Sequence, residues 1–200
     1  MAPFFSPRRV GFATAVPWAR VGLAPSWVTV HIHGREHINP KQSYVVVANH
    51  LSLFDIWVLY GWLNMDLRWV AKKEVRYIPI IGICCVALGH IFVDRSNHTK
   101  AMASLQQARD RIINGTSILF FPEGTRSRTG ELKPFKKGAF QMAINAGVPI
   151  IPVCANNYTR TINLNRWRGG RVILRALPPI PTAGLTMDDL PDLMAKCHAQ

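Results

Sequence analysis

Acidic side chains are scarce in this 200-residue sequence: 11 Asp and Glu stand against 24 Lys and Arg, a formal net charge of +13. A surplus of that size seeks anions, whether nucleic acid, an acidic membrane surface or phosphorylated ligands. Charged residues make only 18% of the chain and apolar ones 48%, which argues against a disordered chain or a coiled coil. Cysteine is scarce too. Cys84, Cys85, Cys154 and Cys197 form no C-x-x-C pair, and neighbours such as Cys84 and Cys85 cannot easily bridge each other. A disulfide scaffold or zinc knuckle is therefore not expected, and the thiols read as small apolar residues in a reducing compartment. No run reaches the roughly 20 apolar residues of a membrane-spanning helix. The longest uncharged stretch is the 17 residues Tyr77 to Val93, interrupted by Pro79, Gly82, Gly89 and His90; a buried helix followed by a strand is expected there. G-x-S-x-G is absent, which excludes that hydrolase motif. Gly124 and Gly130 have the wrong separation for a P-loop, and no Lys follows them. His31 and His33 share a strand face, but no nearby Cys or second His pair accompanies them, so no metal is expected.

What is present is aromatic as well as basic. Six Trp and nine Phe are unusual in a nucleic-acid module and turn the expectation toward a membrane surface, with no nucleic-acid partner. Phe4, Phe5, Phe12, Trp18 and Trp27 interleave with Arg8, Arg9 and Arg20, a mixture suited to the lipid headgroup layer. Residues 1–25 are accordingly expected to form a membrane-interface segment, and 26–200 a single domain. The same stretch imitates a signal peptide, but Pro17 interrupts its apolar part and Arg20 closes it, so a cleaved leader is not expected.

Hydrophobic periodicity orders the rest. Strands are predicted at 27–33, where polar and apolar residues alternate, and at 44–48 (YVVVA), whose β-branched run marks a strand covered on both faces. Further strands are predicted at 67–71, 91–93, 117–121 (SILFF), 150–153 and 171–176. Helices are predicted at 53–63, 99–113, 138–146 and 185–198; in the second, Ala101, Leu105, Ala108 and Ile112 share one face. Alternating strands and helices make an α/β layer sandwich.

Two strand ends carry the chemistry. After YVVVA comes Asn49-His50-Leu51-Ser52-Leu53-Phe54-Asp55. Residues five apart do not share a helix face, so His50 and Asp55 meet only if His50 precedes a helix whose first turns hold Asp55. A carboxylate on one ring nitrogen fixes the tautomer and leaves the other nitrogen as a base. Asn49 and Ser52 read as local caps of that helix. After SILFF comes Pro122-Glu123-Gly124-Thr125-Arg126-Ser127, where glycine lets backbone N–H groups approach an anion and arginine can grip phosphate. From Thr125 to Thr186 there are ten Lys and Arg and one acid, Glu131. The alternative reading of this region is a solvated basic face.

These segments, together with Gly89-His90-Ile91-Phe92-Val93-Asp94-Arg95 and Val148-Pro149-Ile150-Ile151-Pro152-Val153, occur in an order that resembles the glycerolipid acyltransferase family. Within it, the bacterial 1-acyl-sn-glycerol-3-phosphate acyltransferases are most similar. Residues 134–140 (PFKKGAF) and 162–166 (INLNR) resemble that subgroup as well. The resemblance covers roughly Val30 to Pro181. Family members usually begin with a longer hydrophobic segment, and this sequence starts downstream of where it would lie.

The resemblance implies a mixed, largely parallel sheet flanked by helices, preceded by the N-terminal interfacial segment. It implies transfer of an acyl group from acyl-CoA or acyl carrier protein to the 2-hydroxyl of lysophosphatidic acid, giving phosphatidic acid. His50 is then the general base and Asp55 its orienting partner, with Lys72, or adjacent Lys73, steadying the oxyanion. Arg95, Gly124, Thr125 and Arg126 hold the phosphate; Glu123 binds a glycerol hydroxyl or pins Arg126. No cofactor is implied beyond the acyl donor, and the place of action would be the cytoplasmic face of the bacterial inner membrane. The apolar run Ile78 to Val86 lines an acyl slot or packs in the core. Other acceptors, glycerol 3-phosphate or a different lysophospholipid, stay open. A non-enzyme alternative, a basic module on anionic lipid or nucleic acid, leaves His50 without a purpose.

Overall fold

The computed structural model describes residues 7–52, 54–94, 96–109, 112, 115–127, 129–156 and 170–200. Its centre is a seven-stranded sheet in the order β1-β7-β6-β2-β5-β3-β4. The strands are β1 (Thr29–His33), β2 (Val45–Ala48), β3 (Asp66–Lys72), β4 (Ile91–Val93), β5 (Thr116–Phe120), β6 (Ile150–Asn156) and β7 (Arg171–Ala176). All neighbours run parallel except β6 and β7, which are antiparallel. The mixed, largely parallel sheet flanked by helices is the expected architecture.

The central strands are continuous apolar runs because both of their faces are covered. On one face Val46, Ala48, Leu119, Ile151 and Val153 meet α1 (Pro7–Leu23) and α2 (Phe54–Trp62), through Ala15, Ala19, Leu23, Val58 and Leu59. On the other, Val45, Val47, Ile118, Phe120 and Ile150 meet α4 (His98–Arg109), α5 (Gly138–Ala146) and α6 (Leu190–Ala199), through Leu105, Phe140, Met142 and Leu193. Alternate residues of one strand thus serve two separate cores, as a period of two demands.

This winding creates the crevice. From β2 the chain crosses by α2 to β3, while from β5 it crosses by α5 to β6 on the opposite side of β2. The two connections leave neighbouring strand ends in opposite directions and over opposite faces. A cleft opens at such a switch point, at the carboxyl ends of the strands. The loops after β2 and β5, which hold the two motifs, flank it.

Three local features depart from the sequence expectations or add to them. Helix α1, for which no helix was predicted, runs through Pro17; proline removes one i→i−4 bond, and the buried face Ala15, Ala19 and Leu23 holds the helix against α2. The last helix starts at Leu190, not 185, because a capping box sets its approach: Thr186 Oγ1 accepts from Asp188 N, and Asp189 Oδ2 accepts from Thr186 N at 2.7 Å. The third concerns α3 (Ile81–Ala87), which buries only Gly82 and Cys85. A Cβ on Gly82 would come within 2.0 Å of the Arg76 carbonyl oxygen. The helix therefore docks backbone-to-backbone on the preceding turn, and its isoleucines face outward instead of into a core. Ile80, just before it, has φ +65° and ψ −57°, and Ile81 N donates to Pro79 O at 2.6 Å. That is a γ-turn of the strained, positive-φ kind, with a β-branched residue at its centre.

Candidate active site

Strand β2 ends at Ala48, and Asn49 continues its pairing by side chain. Its Oδ1 accepts from Ala155 N at 2.8 Å and its Nδ2 donates to Ala155 O at 2.9 Å. Asn49 is thus a rung between β2 and β6, not the helix cap expected from sequence. The reason is that the register of β2 with β6 stops at Ala48 and Val153, leaving a buried peptide at Ala155 that needs partners. Ser52 does act as a cap, its Oγ accepting from Phe54 N at 3.2 Å.

His50 lies just ahead of α2, and Asp55 lies in that helix's first turn. His50 Nδ1 is 2.7 Å from Asp55 Oδ2. The same oxygen accepts from Leu51 N at 2.7 Å and Ser52 N at 2.9 Å, so the loop wraps around the carboxylate and converges on it. Asp55 is wholly buried, while the His50 side chain keeps 16% of its surface exposed. A carboxylate oxygen accepts, so the contact places a proton on Nδ1, and in the neutral ring this tautomer leaves Nε2 with its lone pair, the arrangement a general base needs.

The loop after β5 fixes the same histidine from the other side. The His50 ring stacks on Phe121, with centroids 4.0 Å apart and planes at 18°. Glu123 Oε1 accepts from His50 N at 2.8 Å, and Ser127 N donates to His50 O at 2.8 Å. Both backbone groups of His50 are therefore held by a segment more than seventy residues away. Glu123 is buried, and its Oε2 accepts from Lys133 N at 3.2 Å. Its carboxylate braces two backbone segments, and among the described residues no ion pair joins it to Arg126. The expectation that it pins that arginine is corrected.

The rim of the loop is cationic. Gly124 adopts φ +73°, and a Cβ there would come within 2.8 Å of Lys136 Nζ; glycine permits both the turn and the close approach of the ammonium. Lys133 Nζ donates to Arg126 O at 2.7 Å and lies 3.3 Å from Thr125 Oγ1. The Thr125 and Arg126 side chains are exposed. Lys133 was expected only as one of many basic residues, and Lys136 only as that and as part of the PFKKGAF resemblance; the spacing of PFKK against the glycine loop gives no local signal of this contact.

The remaining candidates lie at the end of β3. Lys72 Nζ pairs with Glu74 Oε1 at 3.3 Å, and Lys73 Nζ donates to Asp94 Oδ2 at 2.7 Å. Lys73 and then Ser96, both hydrogen-bonded to Asp94, hold its carboxyl well below the usual carboxylate range. Among the described residues no hydrogen bond or ion pair joins either lysine to His50. Arg95 lies outside the described residues. His90, which gave no separate signal in the sequence, is buried with Nδ1 accepting from Trp69 N at 3.1 Å. Burial, and then the Arg68 charge, pushes it down to about 4.

A histidine held by a buried carboxylate and facing a glycine loop can be set beside known proteins. The Acyltransferase family profile matches residues 29–156, a span holding His50, Asp55 and the 121–127 loop. The chain belongs to the acyltransferase family. It is 43% identical over 155 residues to the 1-acyl-sn-glycerol-3-phosphate acyltransferase of Haemophilus influenzae, covering 77% of this chain and 65% of that protein. Against the human 1-acyl-sn-glycerol-3-phosphate acyltransferase alpha it is 36% identical over 169 residues, 83% of this chain and 60% of that protein. The chain thus spans under two thirds of the length of these relatives. The crystal structure of the 1-acyl-sn-glycerophosphate acyltransferase from Thermotoga maritima shares its fold, with a TM-score of 0.78 at 28% identity, covering 94% of this chain and 77% of that one. Among the described residues no helix is long and apolar enough to cross a membrane, and no group of three or more His, Cys, Asp or Glu could hold a metal ion.

Proposed function

We propose that this acyltransferase-family chain moves a fatty acyl group from a thioester, acyl-CoA or acyl carrier protein, to the 2-hydroxyl of 1-acyl-sn-glycerol 3-phosphate. The product is phosphatidic acid. The relatives' names support the acceptor, and the single observation that carries the chemistry is the 2.7 Å contact between His50 Nδ1 and buried Asp55. A thioester is already activated, so no covalent enzyme nucleophile is needed. His50 Nε2 takes the hydroxyl proton as the oxygen attacks the thioester carbonyl. The tetrahedral oxyanion then collapses, breaking the carbon–sulfur bond, and the departing thiolate takes the proton back from the imidazolium. Help of this kind is typically worth about 100- to 10,000-fold.

In this reading Asp55 orients the ring and balances its charge, while Glu123, through the His50 backbone, is a positioning residue. Gly124, Thr125 and Arg126, with Arg95, receive the acceptor's phosphate, and Lys133 and Lys136 add to the local positive field. Lys72 is the oxyanion donor. Its pair with Glu74 is half exposed and screened by solvent, so it leaves the ammonium able to turn toward substrate; Lys73 is the alternative. The interfacial segment keeps the chain at a membrane surface, the cytoplasmic face of a bacterial inner membrane, with Trp18 and Val21 of α1 exposed.

The test is to mix purified protein with acyl-CoA and lysophosphatidic acid and follow free thiol and phosphatidic acid together. Acyl carrier protein, glycerol 3-phosphate and other lysophospholipids serve as parallel arms. His50→Ala is expected to retain the circular dichroism of the parent and lose turnover by about 100-fold or more. Turnover retained by the folded variant would remove the base from the mechanism.

A further inference from the structure

The segment between β3 and β4 carries an apolar surface that the proposed chemistry does not use. Tyr77 is 79% exposed, Ile80 76% and Ile83 73%, and Ile78, Ile81 and Val86 are each more than 40% exposed. Scattered exposed apolar residues are ordinary; six large ones within ten consecutive positions form a patch of the sort that meets a partner. We propose that residues 77–86 are a docking surface for an anionic lipid bilayer, entering its interface with Ile80 and Ile83 leading.

Four observations converge on that occupant. The γ-turn at Pro79–Ile81 holds Ile80 outward in a conformation that disfavours a β-branched residue, and such strain persists where the outward side chain has a use. The exposed cations Lys72, Lys73 and Arg76 immediately precede the patch, forming a collar that complements anionic headgroups. Within 72–86 the single acid is Glu74, which is paired with Lys72; Asp94 pairs with Lys73, and among the described residues no ion pair holds Arg76, so the collar keeps a net positive charge. The segment also leaves β3 at the carboxyl end of the parallel strands, the edge that carries His50, so seating the patch in headgroups brings the site to their level. A second copy of this chain fits less well. An isologous contact would press one collar against its duplicate on chains of net charge +13.

The proposal rests on the acyl-transfer reading only for its purpose, and its test is read without turnover. The intact chain is sedimented with phosphatidylcholine vesicles, with and without phosphatidylglycerol. Wild type is expected to bind the phosphatidylglycerol vesicles more tightly. The doubly substituted Ile80→Asp, Ile83→Asp protein is expected to lose about tenfold or more of that binding, about 1.4 kcal/mol. Ile80→Gly, which suits the γ-turn, is expected to lose part of it without a lower melting temperature. Emission from Ile83→Trp is expected to shift to the blue on adding vesicles and to be quenched by brominated acyl chains. Unchanged sedimentation of the aspartate variant would overturn the proposal, as would unmoved tryptophan emission in protein that sediments. A patch that serves a second copy would show as an aspartate variant turned from dimer to monomer with lipid binding intact. A patch that serves as an acyl slot would show as intact lipid binding with altered chain-length preference. Either result refutes the bilayer. Patch-dependent binding in a protein that releases no thiol would instead refute the acyl-transfer reading and leave this one standing.

Discussion

Replacing Asp55 with asparagine separates charge from shape at the centre of the site. The amide oxygen can take the place of Oδ2 and accept from His50 Nδ1, Leu51 N and Ser52 N, so the loop keeps its path. The amide nitrogen then occupies the place of Oδ1, a buried position with no hydrogen-bond partner among the described residues. Hydrogen bonds to a charged group contribute about 1.5–3 kcal/mol each and neutral ones about 1 kcal/mol. The two backbone contacts therefore weaken by about 2 kcal/mol together, partly offset because a charge is no longer buried. The melting temperature is expected to fall by a few degrees. The loss in rate is larger. As His50 takes the substrate proton it becomes cationic, and a unit charge pair about 4 Å apart at an effective dielectric constant near 20 is worth about 4 kcal/mol. Without the carboxylate that stabilisation is lost, and kcat falls by about 1000-fold. The assay is thiol release under saturating donor and acceptor, with the folded fraction measured by circular dichroism at the same temperature. Turnover within about tenfold of wild type in the folded variant would show that no imidazolium forms beside this carboxylate, and the mechanism would fail.

Other perturbations reach different parts of the molecule. Arg126→Ala is expected to raise KM for the phosphorylated acceptor more than for the acyl donor; equal effects would contradict a phosphate role. Asn49→Ala leaves both backbone groups of buried Ala155 without their partners, at a cost of about 2–4 kcal/mol, read as an earlier denaturation midpoint, with kcat reduced more than KM is raised in the protein that stays folded. His90 supplies a pH signature. Its folded value of about 4 lies below the ordinary 6.5, so between these values the unfolded chain binds a proton that the native state refuses. Its contribution is complete above the upper value and is lost as pH falls toward the lower one, about 3 kcal/mol in all. His90→Gln keeps an acceptor for Trp69 N–H and is expected to flatten that acid loss in denaturant titrations; an unchanged slope would assign it to other groups.

The strands at 45–48 and 116–120, and 150–156 as far as residue 153, were legible because runs of β-branched and aliphatic residues, bounded by glycine, proline or polar turns, have few other fates. Cys154 to Asn156 lack that run and continue the strand through their pairing with β7. The meeting of His50 with Asp55 was legible too, since both ends of the contact lie on one short strand-to-helix junction. What could not be read shares a physical character: it depends on partners with no local period. Glu123 finds His50 N, and Asn49 finds Ala155, across separations of 73 and 106 residues. The outward face of α3 was hidden for another reason. An apolar run looks the same whichever way it is turned, and only the seating of Gly82 on the Arg76 carbonyl decides its direction.

The histidine's anchorage has a consequence for how the molecule comes into being. Its ring and peptide are gripped by stretches of chain synthesised long after it, so closing those grips requires the slow, high-separation contacts of a parallel sheet. No hairpin, helix or half-finished sheet owns a working catalyst. On the proposed mechanism the base is held in place only once β2, β5 and β6 are paired, so a nascent chain is expected to release no thiol until then.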